Sequence, residues 1–224
     1  MLSRTHRYLL PFIIPLFGCA HSIVSSAPEN EYSPWRSCYQ AAATGDIKTL
    51  DQDWLSKCDK ATANGKVTLL MVAANHSQLQ ALDWLLAHGA DLNQKTEIGD
   101  TALNFAAAAN ARLALMWLMA HGADPHSKRA DGSSALMQVL NSHFTDTAMA
   151  LINENFPVNE VNDQGWPPLF FAVRQMDLEV VKALIKHGAK LDFISVNQET
   201  AFTLAVEENW KEGSEYLLSV ESAR

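Results

Sequence analysis

Thr101-Ala102-Leu103-Asn104-Phe105-Ala106, closed further along by Leu118 and then by His121-Gly122-Ala123-Asp124, is the stretch from which the fold can be read. It recurs at a constant offset of 33 residues. Thr68, Thr101, Ser134, Pro167 and Thr200 are equivalent, and two places on come Leu70, Leu103, Leu136, Leu169 and Phe202. Small residues follow at Ala73, Ala106, Ala172 and Ala205. The far end of each period repeats as well, with Leu85, Leu118, Leu151, Leu184 and Leu217, and glycine after three of them at Gly89, Gly122 and Gly188. A Thr or Ser hydroxyl can accept from the free N–H groups that open a short helix, and proline fits its first turn. The second half places Leu79, Leu82, Leu85 and Leu86 at helical spacing, an apolar stripe aimed at a neighbour. Glycine then ends that helix with a left-handed residue. Each period therefore predicts two antiparallel helices and a loop, a unit too small to bury its own core and stable only when stacked.

These residues resemble the ankyrin repeat, whose T-P-L-H-x-A opening and L-L-x-x-G-A-D close are legible in the segment quoted above. The resemblance covers residues 34–224 and implies an all-α fold, an ankyrin-repeat solenoid of helix-turn-helix units with hairpin-like loops such as Asp91 to Asp100. Five units begin near 67, 100, 133, 166 and 199; they are called units one to five below. A truncated unit, 34–66, precedes them with Ala41-Ala42-Ala43-Thr44-Gly45-Asp46 one residue out of phase. Unit three carries Val139 in place of the usual alanine and Asn155-Phe156-Pro157 in place of Gly-Ala-Asp, so a kink or loosening is expected there. Unit four carries Pro167-Pro168 and loses the capping hydroxyl.

Residues 1–18 read as a signal peptide. Arg4, His6 and Arg7 precede the apolar run Tyr8 to Phe17, which is too short to cross a bilayer. Leu16-Phe17-Gly18-Cys19 resembles the lipobox of bacterial lipoproteins, although Phe17 is bulky for its place. The resemblance implies lipidation of Cys19, a tether over 19–33, and a periplasmic location with the lipid in the outer membrane; conventional cleavage near Ser25 or Ser26 is the alternative. The lipid would be the sole membrane contact. In such an oxidising compartment Cys38 and Cys58, flanking a short helical hairpin, are expected to form a disulfide. Two buried thiols that never meet are the other reading.

The formal charge is −8, and removing residues 1–18 takes away Arg4 and Arg7, leaving 15 basic against 25 acidic residues, or −10. A nucleic-acid backbone would be repelled, whereas a basic protein would be steered towards this surface. No cofactor or metal is expected. His88, His121 and His187 share one place in their repeats, and units spaced on the order of 10 Å apart set them too far apart to share an ion with bonds of about 2 Å. No nucleophile elbow, catalytic triad order or phosphate loop is present, and Glu207-Glu208 point in different directions on a helix. Trp84 and Trp117 stand where the family has core leucines.

In ankyrin proteins the partner is gripped by the loop tips and the exposed face of the first helix. Carried over, the loop positions are Lys95, Glu97, Ile98, Asp100, Lys128, Ala130, Asp131, Ser133, Val161, Asp163, Gln164, Trp166, Ile194, Val196, Asn197 and Glu199. The helix positions run from Asn75 and His76, through Ala108, Ala109, Asn141, Ser142, Arg174 and Gln175, to Glu207 and Glu208. An exposed tryptophan and an arginine are the residue types most enriched in binding hot spots. Trp166 and Arg174, flanked by Val161 and Ile194, are accordingly expected to form the anchor, with Asp131, Asp163 and Glu199 supplying an acidic surround. The alternative is that Trp166 folds down onto Pro167 and Pro168. The expectation is a monomeric protein-binding module of the cell envelope, of an immunity or regulatory kind, and not an enzyme; the competing class is an enzyme or enzyme subunit whose active site carries no recognisable motif.

Overall fold

The computed structural model describes residues 33–53 and 66–222. Within them lie twelve helices in six consecutive pairs and no strand. The first pair is α1 (Ser33–Thr44) and α2 (Ile47–Asp53). Then come α3 (Leu69–Asn75) with α4 (Leu79–Ala87), α5 (Ala102–Ala108) with α6 (Arg112–Ala120), and α7 (Ala135–Asn141) with α8 (Thr145–Asn153). The last are α9 (Pro168–Arg174) with α10 (Leu178–Lys186), and α11 (Ala201–Glu207) with α12 (Lys211–Ser222). The all-α repeat architecture follows.

Capping chemistry starts each unit at the same phase. The Thr68, Ser134 and Thr200 hydroxyls accept from the backbone N–H of Met71, Met137 and Thr203, which satisfies a donor that no helical carbonyl can reach. Thr101 works differently: its N–H and its hydroxyl both donate to Asn104 Oδ1 at 3.0 Å. Pro167 offers no cap, and Pro168 opens α9 with its ring instead.

Packing then joins the units. Leu70, Leu103, Leu136 and Leu169 are all at most 1% exposed, closed off by the unit that follows. Ala73, Ala106, Ala172 and Ala205 are fully buried where first helices approach each other. Burying a leucine contributes roughly 1.5–3 kcal/mol, so one such column per unit is a large share of the cohesion of the stack. Its open end is visible at Val206, 53% exposed, although its equivalents Ala107, Leu140 and Val173 are at most 1% exposed.

The loops form a second row beside the helices. Each closes on itself through Thr96 N–H to Asp100 O, Arg129 to Ser133, Asn162 to Trp166 and Ser195 to Glu199, all at 2.9–3.2 Å. Each tip also donates back to the one before it: Ala130 N–H to Ile98 O at 2.9 Å, Asp163 to Asp131 at 3.1 Å and Val196 to Gln164 at 3.0 Å. Gly132 marks the tightest approach, for a Cβ there would lie 2.9 Å from the backbone nitrogen of Asp163.

Three expectations need revision or placing. Unit three is not loosened: α7 and α8 match the other units in length, Val139 is fully buried, and Asn155 adopts the left-handed conformation (φ +58°) that glycine supplies elsewhere. Phe156 fills the space beneath, 2% exposed. The expected Cys38–Cys58 disulfide is withdrawn: Cys38 is fully buried in α1, residue 58 lies outside the described residues, and Cys38 is the one cysteine within them, so no cysteine pair stands at bonding distance there. The signal peptide, Cys19 and its tether also lie outside the described residues, apart from Ser33. Among those described, no helix is long and apolar enough to cross a membrane.

Candidate functional site

The recurring histidines are helix ends. Nδ1 of His88, His121 and His187 lies 2.7–2.9 Å from the carbonyl four residues back, a second contact on an oxygen that already accepts from the backbone N–H of the same histidine. The rings of His88 and His121 stack on Trp84 and Trp117 at centroid distances of 3.7 and 3.8 Å. His126 instead meets the Glu160 carboxylate, Nδ1 to Oε1 2.6 Å. Among the described residues no group of three or more His, Cys, Asp or Glu could hold a metal ion.

The loop tips and first helices line a face whose two halves differ. Along one tip column stand Lys95, Lys128, Val161 and Ile194; along the floor stand Asn75, Ala108, Asn141, Arg174 and Glu207. Towards unit one the tips carry lysine, although Lys128 Nζ is drawn in to the carbonyl of Val161 at 2.8 Å. Towards unit four the tips are apolar. Ile194 and Val196 are 58% and 65% exposed, with Ser195 buried between them, so the two aliphatic side chains share one outward face by strand-like alternation.

Trp166 does not stand out into solvent as the sequence suggests. It is 8% exposed, set edge-on to Phe170 and Phe171 with centroids 6.0 and 5.5 Å away. Its indole N–H donates to Glu199 Oε2 at 3.2 Å, and that same oxygen accepts from Ser195 Oγ at 2.7 Å. The ring thus packs into its own unit and ties down the next loop, because burying indole area and satisfying its one donor both favour that pose. What it offers outward is a face. Arg174 Cζ sits 5.1 Å from the ring centroid, within cation–π range, and its Nε lies a slack 3.9 Å from Glu208 Oε1. Ser195, Glu199, Trp166, Arg174 and Glu208 form one chain of contacts from tip to floor.

The other expected residues are spread along the tips. Asp131 and Asp163 are exposed and adjacent through their backbones, Val161 is half-buried, and Glu199 is engaged with Trp166. Sequence reasoning missed the linking roles of Ser195 and Glu208; the former has a signal in the polar residue framed by Ile194 and Val196, and the latter stands among the carried-over floor positions with nothing in the sequence to pair it with Arg174. In unit two the position equivalent to Trp166 holds Asp100, whose carboxylate meets Arg129 Nε at 2.7 Å. Burial pushes the Asp100 carboxyl above its ordinary range, and Arg129 opposes that only in part.

A family model described as ankyrin repeats matches residues 38–129, 105–195 and 136–223. No curated protein matches the chain. Among solved structures, an ankyrin repeat domain from Acinetobacter baumannii AYE is 28% identical, with a TM-score of 0.72, covering 85% of this chain and 98% of that one. A chain from the structure of a predatory endopeptidase from Bdellovibrio bacteriovorus in complex with an immunity protein is 26% identical, with a TM-score of 0.69 and coverage of 82% and 97%.

Proposed function

Because this chain belongs to the ankyrin-repeat family, we propose that it is a protein-binding module of the bacterial cell envelope, gripping a partner protein with the face built from its loop tips and first helices. The observation that carries this is the exposed pair Ile194 and Val196, linked to Arg174 through Ser195, Glu199 and Trp166. Aliphatic side chains held out on a fixed loop lose little further freedom on binding. Arginine is enriched at binding hot spots.

Two further points support an immunity or regulatory role. The chain is similar to one found in an endopeptidase–immunity complex, and its formal charge of −8 would steer a basic partner. The lipobox-like Leu16-Phe17-Gly18-Cys19 supports export and lipid attachment at Cys19, with residues 19–33 as tether and 34–224 as one repeat domain. The anchor is revised accordingly. Arg174 and Ile194 touch the partner, with Val196 added and Val161 at the margin; Trp166 and Glu199 hold them in place; Asp131 and Asp163 form an acidic edge. The chain acts as a monomer that binds and does not catalyse.

Photo-crosslinking in intact cells tests this. A crosslinker at Gln175 or Asn197 should capture a discrete protein, and one at Lys182 on the opposite face should not. Equal capture from both faces, or none from the first, would overturn the reading.

A further inference from the structure

The floor of the proposed binding face carries a cation set against a buried aromatic ring. Arg174 lies over the buried Trp166 ring at 5.1 Å. That ring is itself held by Glu199, which Ser195 fastens to the loop bearing Ile194 and Val196. Tip and floor are therefore connected through three side chains and keep a set spacing. Arg174 nevertheless remains 52% exposed at its side chain, and its ion pair with Glu208 is long, 3.9 Å, between two solvent-facing groups. A contact of that kind contributes little and exchanges readily, whereas a guanidinium stacked on an aromatic ring keeps its forked donors available for a planar acceptor. The equivalent floor positions are Asn75, Ala108, Asn141 and Glu207, none of them cationic.

Resting on the function proposed above, we propose that Arg174 receives a carboxylate of the partner, from an Asp or Glu side chain or a chain terminus, while a neighbouring aliphatic side chain of the same segment packs on Ile194 and Val196. Glu208 occupies the guanidinium in the unbound chain and yields it on binding. Partner recognition at this end is thus for an acidic-aliphatic segment, even where long-range steering favours a partner that is basic as a whole. The carboxylate bonds pairwise to the guanidinium, the stronger form of charge-assisted hydrogen bonding.

A random peptide library displayed on phage and selected on the full chain provides the probe. Enriched sequences are then synthesised with free and with amidated C-termini and titrated against the parent, Arg174→Gln, Arg174→Lys, Ile194→Ser and Lys182→Gln. Enriched peptides should place a carboxylate beside an aliphatic residue. Arg174→Gln should weaken them at least about tenfold with unchanged melting, Arg174→Lys should restore only part, and Lys182→Gln should have no effect. Loss of binding on amidation alone assigns the carboxylate to a chain terminus; retention assigns it to a side chain. Peptides that are basic, or that respond to Ile194→Ser but not to Arg174→Gln, would overturn this inference and leave the binding face standing. A selection that enriches nothing counts against the binding face itself, and the inference falls with it.

Discussion

Units two and four are built on helices of the same lengths, seven and nine residues, yet the junction between loop and first helix is filled by Asp100 in one and Trp166 in the other. Both are almost equally buried, 7% and 8% exposed, and both reach into the next loop. Asp100 does so by an ion pair with Arg129, Trp166 by an indole hydrogen bond to Glu199. The same mechanical task is solved by two chemistries, and the consequence differs above it. Over Asp100 the floor is Ala108 and Ala109; over Trp166 it is Arg174 and Gln175. Only the aromatic solution sets an exposed charged side chain of the first helix, Arg174, over its ring, which is how a scaffold position would shape the proposed binding face.

The shared frame should break equally in both units. Leu103→Asp and Leu169→Asp each put a carboxylate into a column that is at most 1% exposed and remove an aliphatic contact to the neighbouring unit. Each should lose upwards of about 4 kcal/mol, seen in urea denaturation as an unfolded or partly unfolded chain. A variant in either unit that melts like the parent would mean that the units are not held by this column.

The two junctions should then separate. Trp166→Ala removes a buried ring along with its tie to Glu199 and the platform of Arg174, a loss of about 3 kcal/mol. Asp100→Asn keeps the shape and an acceptor for Arg129 while relieving the burial of a charge, so its effect should be distinctly smaller. Equal losses would show that the ring adds nothing beyond the link between loops.

The repeats were readable because close packing demands the same residue sizes at a fixed period, as at Leu103 and Ala106. Asn155 shows where such reading strains: the position needs a left-handed backbone, which asparagine adopts at small expense, so the loss of glycine leaves the unit intact. The exposure expected of Trp166 fails for a related reason. Its equivalents are Val67, Asp100, Ser133 and Glu199, a column whose chemistry varies because the task is to reach the next loop, and no period in residue type marks that task. Arg174 is exposed on the first helix as its place implies, but its contacts with Trp166 and Glu208 are not legible in the sequence. Ring and guanidinium meet through geometry that the spacing of eight residues between them does not specify.

A smaller effect concerns the loop tips. Gly99, Gly132 and Gly165 turn three of them with positive φ, whereas Gln198 takes the equivalent place in unit four at φ +63°. A side chain in that region is strained by roughly 1–2 kcal/mol, partly offset by the extra freedom that glycine loses on folding. Gln198→Gly should therefore stabilise the chain by up to about 1 kcal/mol in the same urea titration. A neutral or destabilising result would show that the unit-four tip has adapted to the glutamine.

The smallest effect sharpens the ionic junction itself. Burial raises the Asp100 carboxyl above its ordinary value, with Arg129 pulling the other way. The folded chain then keeps that proton to higher pH than the unfolded chain, whose Asp releases it near about 3.9. Across the window between the two values the folded state binds more protons, so the contribution of Asp100 to stability falls as pH rises, and levels off above the folded value. Asp100→Asn has no such titration. The difference in melting temperature, variant minus parent, should move in favour of the variant as pH is raised from about 3.5 to about 6. A difference that moves the opposite way would mean that Arg129 outweighs the burial, making the ion pair of unit two a net contributor like the indole bond of unit four.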